Sequence, residues 1–264
     1  NSYSADITYT LNLIQLDTNK KSTARILPIK LKDSIKFDNV SFSYDKKKKS
    51  VIKNFNLEIY KGQKIGIIGK TGGGKSTFSD LFMGLIKPTK GEIFIDGKNI
   101  YDKNFPDRIN NWRISIAHVP QNIYLADCSI AENIAFGIKK DQFSMKKIKE
   151  AAKIAQINEF IESKVEGFNL RVGEKGVQLS GGQQQRIVIA RALYKNKEVI
   201  IFDEATSALD NLTEVKLIKN IENLGDKKTI ISIAHRHSTL KNFDRVLKLE
   251  NGSIISEGSP KEMF

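Results

Sequence analysis

Apolar and polar positions follow two kinds of pattern along this chain. Ile35, Phe37, Val40, Phe42 and Tyr44 nearly alternate with polar residues, Asp45 to Ser50 interrupt them, and the pattern resumes over Val51 to Ile59. Such alternation around a polar break predicts a hairpin, with Lys46 to Lys49 as its solvated turn. Further on the apolar runs are continuous: Lys64 to Ile68, Ile114 to Val119, Val199 to Phe202, Thr229 to Ala234 and Val246 to Leu249. Runs rich in Ile and Val, separated by helical stretches, predict a parallel sheet covered on both faces. Helical spacing marks Phe78, Leu81, Phe82 and Leu85, and the stretch from Ser144 to Ile161 through Ile148, Ala151, Ala152 and Ala155. It also marks Ile187, Ala190 and Leu193 or Tyr194. Residues 1–34 are polar, with a weak amphipathic spacing at Ile7, Leu11 and Ile14 and a linker-like stretch from Asn19 to Ala24. The chain therefore divides into a tail at 1–34 and a folded domain at 35–264.

Composition narrows the class. At 40% hydrophobic and 28% charged residues the chain is too apolar for disorder. No apolar run reaches the roughly 18 residues of a membrane helix. The single cysteine, Cys128, leaves no disulfide framework within the chain and no multi-cysteine zinc site, and it fits a reducing compartment. The chain opens at Asn1, as expected of a fragment or a processed product. A net charge of +13 favours polyanion partners. The basic residues are overwhelmingly lysine, however, whereas base readers and bidentate phosphate clamps favour arginine, so a solvated surface is the plainer reading.

The polar residues that end the continuous runs carry the chemistry. The runs deliver Gly69, Pro120-Gln121, Asp203-Glu204 and His235 to their carboxyl ends, where open α/β sheets bind ligands. Gly69-Lys70-Thr71-Gly72-Gly73-Gly74-Lys75-Ser76-Thr77 satisfies G-x-x-x-x-G-K-[ST]. Glycines let backbone N–H groups wrap a phosphate, and the helix that follows presents its positive end to the same anion. In this motif Lys75 reaches the β- and γ-phosphates and the Ser76 hydroxyl ligates Mg²⁺. Asp203 is placed to hold that ion through water, and Glu204 is the candidate general base for the attacking water. Leu179-Ser180-Gly181-Gly182-Gln183 opens another helix and makes a second anion site. Two anion sites but one acid pair suggest that two copies of the chain share nucleotides.

These residues resemble the signature set of ATP-binding cassette (ABC) ATPases, in the family's order, over about residues 35–264. The resemblance implies an α/β fold: a P-loop NTPase core with a parallel sheet, an N-terminal antiparallel β subdomain and a helical subdomain carrying the signature. Gly69 to Thr77 matches the Walker A loop, Val199 to Glu204 matches Walker B, and Leu179 to Gln183 is identical to the signature. By the same resemblance Tyr44 stacks on adenine and Gln121 is the Q-loop Mg²⁺ contact and link to a transmembrane partner. Ser207 to Asp210 is the D-loop, and His235 is the switch histidine that meets the γ-phosphate. Ser180, Gly181, Gly182 and Gln183 are then expected on the ATP of the other copy.

Ser129 to Gly137 and Val172 to Gly176 resemble segments of exporters, although Arg171 and Lys175 stand where many exporters have Glu and Arg. The resemblance implies a transport-coupled ATPase using ATP and Mg²⁺, a head-to-tail homodimer, and an attached transmembrane domain that exports or flips a substrate such as a lipid or lipid-linked sugar. It implies a place at the cytoplasmic face of the inner membrane, with surface lysines toward anionic lipid and no specific nucleic acid. A nucleic-acid ABC ATPase, a nucleotide-gated binding module and a separate ATPase subunit are the competing readings. The short gap from Walker A to the signature, the intact Glu204 and His235, and the linker-like start argue against them in turn. Trp112 and His118 read as packing residues, while His237 and Cys128 match no role.

Overall fold

A computed structural model describes residues 26–45, 49–206, 208–223, 228–234 and 236–264. The tail patterns at Ile7 to Ile14 and Asn19 to Ala24 lie outside the described residues.

The alternating region forms an antiparallel pair, β1 (Ser34–Phe42) and β2 (Ile52–Tyr60), with Ile35 opposite Ile59 and Phe37 opposite Leu57. With β4 (Lys90–Ile95) and β5 (Lys98–Asn99) they make a sheet of order β2-β1-β4-β5. The continuous runs form β3 (Lys64–Ile68), β6 (Ile116–Val119), β7 (Val199–Asp203), β8 (Thr229–Ile233) and β9 (Arg245–Glu250). They pair in parallel, and β10 (Ser253–Gly258) closes one edge antiparallel, in the order β10-β9-β3-β8-β7-β6. Every residue of β8 is buried, as strands covered on both faces require.

One face of this sheet packs toward β1, β2 and β4 through an apolar layer that includes helix α1 (Lys75–Phe82). Phe37, Phe55, Phe78, Phe82 and Trp112 pack ring on ring there, with centroids 5.4–6.2 Å apart. Trp112, on α2 (Arg108–Arg113), is fully buried and donates its indole N–H to Phe82 O at 2.7 Å, which makes it the packing residue its position suggested. The other face carries α3 (Ile130–Ile134), α4 (Met145–Ile154), α5 (Asn158–Glu162), α6 (Gly181–Tyr194) and α7 (Asn211–Glu222). A short α8 (Pro260–Met263) follows β10. The packed body reaches back past β1: Leu31 is buried, and the N–H groups of Lys32 and Asp33 donate to Asp96.

Two helical expectations need correction. Leu85 is not part of α1, because Gly84 (φ +69) ends the helix in a Schellman motif, with Leu85 N–H bonded to Asp80 O and Gly84 N–H to Leu81 O. The stretch from Ser144 to Ile161 is two helices rather than one, broken where Gln156 turns left-handed at φ +57.

Candidate active site

The phosphate loop is built by close backbone approach. A Cβ at Gly69 would collide with Leu249 O of β9, so a glycine is needed where the loop leaves β3. Gly73 N–H then bonds to Lys70 O at 3.0 Å, and Gly252 N–H reaches over from the β9–β10 turn to Gly73 O at 3.2 Å. The first N–H groups of a helix lack intrahelical partners, and at α1 the N-cap is Gly74, which brings no side chain to satisfy them. The buried Lys75 donates its ammonium to Gly69 O at 2.7 Å and Lys70 O at 3.2 Å, holding its charge inside the ring of loop amides.

The acids stand at the carboxyl end of β7, two strands over from β3 with β8 between them. Glu204 follows β7 in the left-handed region (φ +50), with its N–H bonded to Ile233 O at 2.9 Å. A non-glycine residue held in that region at the end of a sheet strand is the kind of strain that collects at functional sites. Gln121, just past β6, donates from Nε2 to Glu204 Oε2 at 2.7 Å. Thr71, Lys75, Ser76, Thr77, Gln121 and Glu204 line one groove of about 240 Å³, together with Gly72 and Gly74. Tyr44 stands 65% exposed beside it, edge-on to Phe42 at 4.8 Å and sharing a hydrogen bond with Thr77 Oγ1 at 3.2 Å.

Burial, then the charges of Glu204 and Asp80, hold the Asp203 carboxyl above its ordinary range, and Lys75 offsets them only in part. Among the described residues no cluster of His, Cys, Asp or Glu forms an all-protein metal cage. Ser76 and Gln121 line the groove, and the crowded Asp203 precedes Glu204 in the chain. A hydroxyl, an amide oxygen and a carboxylate are a donor set that suits Mg²⁺, which is held by one or two carboxylates and completes its shell with water and phosphate. Asp80 escaped the sequence reading. It lies in α1 behind Lys75, and an acid in the helix that follows a phosphate loop is its only trace.

The signature residues do not join this groove. Ser180 caps α6: Gln183 N–H donates to Ser180 Oγ at 3.3 Å, and Ser180 N–H donates to Gln183 Oε1 at 2.9 Å. Asp210 caps α7 by accepting Thr213 N–H at 2.9 Å, which pulls its carboxyl below the usual range. Arg236 pairs with the buried Glu214 at 3.0 Å and donates to Leu209 O at 3.3 Å, tying the segment after β8 to the D-loop. Ser207 and His235 themselves lie outside the described residues. Burial pushes the His118 imidazole below its ordinary value within β6, and His237 stacks on Phe264 at 4.1 Å.

A family model described as "ABC transporter" matches residues 52–207, more than half of the chain. The chain belongs to the ABC transporter family. Among curated relatives, the leukotoxin translocation ATP-binding protein LktB of Pasteurella haemolytica-like sp. (strain 5943B) is 43% identical over 89% of this chain and 32% of its own length. The alpha-hemolysin translocation ATP-binding protein HlyB of Escherichia coli O157:H7 is 42% identical over 96% of this chain and 35% of its own. The ATP-dependent lipid A-core flippase of Pasteurella multocida (strain Pm70) is 41% identical over 87% and 39%. The ABC domain thus spans about a third of the length of these relatives. A solved bacterial Atm1-family ABC exporter with ATP bound superposes with a TM-score of 0.86 at 34% identity, covering 98% of this chain and 44% of that one. The α/β architecture with its separate antiparallel sheet is the fold the resemblance implied. Among the described residues no helix is long and apolar enough to cross a membrane.

Proposed function

We propose that this domain binds ATP in the groove between the phosphate loop and Glu204, hydrolyses it, and closes head to tail on a second copy. The observation that carries this reading is the Gln121–Glu204 hydrogen bond of 2.7 Å at the mouth of the loop. It ties the end of β6 to the end of β7, and both residues line the same groove as the phosphate loop, as hydrolysis of a γ-phosphate requires. Loop N–H groups and Lys75 hold the phosphates, and Tyr44 offers its ring to adenine. Gln121 pins one oxygen of Glu204 and so fixes the plane of the carboxylate that orients the attacking water. Mg²⁺, when bound, neutralises phosphate charge, and Ser76, Asp203 and Gln121 are the residues to hold it. His235 and Asp210 take the γ-phosphate and cross-dimer roles that the family resemblance gives them.

Ser180 to Gln183 meet the ATP of the other copy. The capped helix start supports this, because it stands apart from its own groove and accepting through Oγ leaves the Ser180 hydroxyl proton to donate. An attached transmembrane domain then exports or flips the substrate from the cytoplasmic face of the membrane. The exposed lysines of the domain fit an anionic leaflet, with no nucleic acid needed to explain them.

Glu204→Gln is the test. ATP hydrolysis should fall by about 1,000-fold, the scale of removing a catalytic base, while ATP still binds and dimers accumulate. Retained turnover would remove Glu204 from its role.

A further inference from the structure

The ATPase reading leaves open how the helix start that meets one copy's ATP is connected to the acid that serves the other. The geometry points to Gln185. We propose that Gln185 is a positioning residue: its side-chain amide fastens the strained backbone of Glu204 and the D-loop to the signature helix, so that all three move as one piece. The proposal rests on the ATPase reading above.

Gln185 is 1% exposed, on the stripe of α6 that it shares with the buried Val188, Ile189 and Ala192. A primary amide in such surroundings is costly unless its bonds are made. Its Oε1 accepts the Ala208 N–H at 3.1 Å, and its Nε2 donates to Glu204 O at a longer 3.5 Å. The two bonds straddle the turn in which Glu204 sits at φ +50. A backbone held in that region persists only where its surroundings over-determine it. Here the Glu204 N–H is held by Ile233 O from β8, and its C=O is met by Gln185 from α6.

A separate feature supports the same link. A Cβ at Gly182 would stand 3.1 Å from Ala208 O, and one at Gly181 would touch the Ala208 Cβ at 3.8 Å. The signature glycines therefore do more than bare backbone N–H groups to an anion: Gly182 lets the D-loop lie directly on the helix start. A displacement of α6 when Ser180 engages nucleotide is then passed to Ala208 and to the Glu204 backbone through one side chain. A neutral amide serves both ends, whereas an ionised carboxylate could accept from Ala208 N–H but would face Glu204 O with a charge and no donor.

The test compares Gln185→Leu and Gln185→Glu with wild type in ATP affinity, turnover and melting temperature. The expected result is a kcat lowered by about 100-fold, as for a small misplacement of a catalytic group, with the ATP dissociation constant unchanged. The ratio of Gln185→Glu to wild-type turnover should rise as pH falls, because a protonated carboxyl regains the donor. Wild-type turnover together with a Gln185→Leu kcat within about twofold of it would overturn the link alone. Absence of wild-type turnover in dimerising protein would overturn the ATPase reading instead. If the variants do not fold, amide exchange of the wild type decides: the Ala208 N–H should exchange about 100-fold more slowly than an open amide, and exchange at the open rate overturns the link.

Discussion

Two helices in this chain begin with glycines, and the sequence alone makes both look like anion sites. The structure sets them apart. At α1 the N-cap is Gly74, in the left-handed region at φ +103, which has no side chain to cap the first-turn N–H groups. Those N–H groups, the buried Lys75 and Glu204 share one groove. At α6 the N-cap is Ser180, which bonds Gln183 reciprocally in a capping box, so two of the end groups are already satisfied. No acid lies among residues 180–186. An uncapped helix start with a buried cation is a pocket waiting to be completed by an anion. A capped, exposed helix start is a stable surface that can add contacts to an anion held elsewhere. In the proposed head-to-tail dimer, that difference accounts for two such starts and one acid pair in one chain.

The largest expected effect separates them by function. Lys75→Ala should weaken ATP binding to the single chain by about 100-fold, the scale of one or two charge-assisted hydrogen bonds. Ser180→Ala should leave that binding unchanged, cost about 1 kcal/mol of stability through the lost cap, and weaken only the ATP-dependent dimer. Equilibrium binding of a fluorescent ATP analogue at low protein concentration, beside sedimentation of the Glu204→Gln protein with and without the Ser180 change, measures both. Equal loss of single-chain binding in the two variants would put both helix starts in one site and erase the contrast.

The same contrast shows what the sequence can and cannot reveal. The strands of the central sheet were legible because continuous Ile and Val runs admit few other solutions, and Gly69, Gln121 and Glu204 were legible because strand ends are where such residues act. The two helix breaks differ. Gly84 is a recognisable C-cap glycine and could have ended α1 before Leu85. Gln156 at φ +57 left no signal, because a left-handed glutamine is stabilised by tertiary packing rather than by its own preference. Gln185 was invisible for a related reason: a glutamine in a run of glutamines gives no sign of being the buried one. Its one clue is its position four residues before Ile189, on the stripe that faces the core. Asp210 was legible as a D-loop residue but not as the cap of α7, which depends on where the helix begins.

A smaller effect contrasts the glycines themselves. Gly74→Ala places a Cβ 3.0 Å from Ile52 Cδ1 and 3.3 Å from Val51 O in a left-handed backbone. It should cost about 1–3 kcal/mol. At Gly181 the nearest neighbour of an added Cβ is Ala208 Cβ at 3.8 Å, an ordinary contact. Alanine there should leave stability unchanged or raise it by up to about 1 kcal/mol, since it is the better helix former. Urea denaturation of the two variants checks the pair, and a Gly181→Ala loss as large as that of Gly74→Ala would mean that the signature helix start is under strain as well.

The smallest effect is one of pH. Burial and the charges of Glu204 and Asp80 keep the Asp203 carboxyl above its ordinary value of 3.8, with Lys75 opposing them. An acid whose folded pKa is raised takes up its proton earlier on acidification. Ionised Asp203 therefore costs the domain stability at neutral pH, and that cost is relieved as the pH falls through the raised value. Holding Mg²⁺ needs the ionised form. The Mg²⁺-dependent part of ATP affinity should thus decline on acidification sooner than it would with an exposed aspartate. The signature end, with no carboxylate of its own, has no matching term. The ratio of ATP affinities with and without Mg²⁺, measured from neutral pH downward, reads this directly, and Asp203→Asn should flatten it. A ratio that stays constant until the ordinary aspartate range would mean that the crowding around Asp203 is relieved before any cation arrives, and would leave Lys75 as the whole electrostatic difference between the two helix starts.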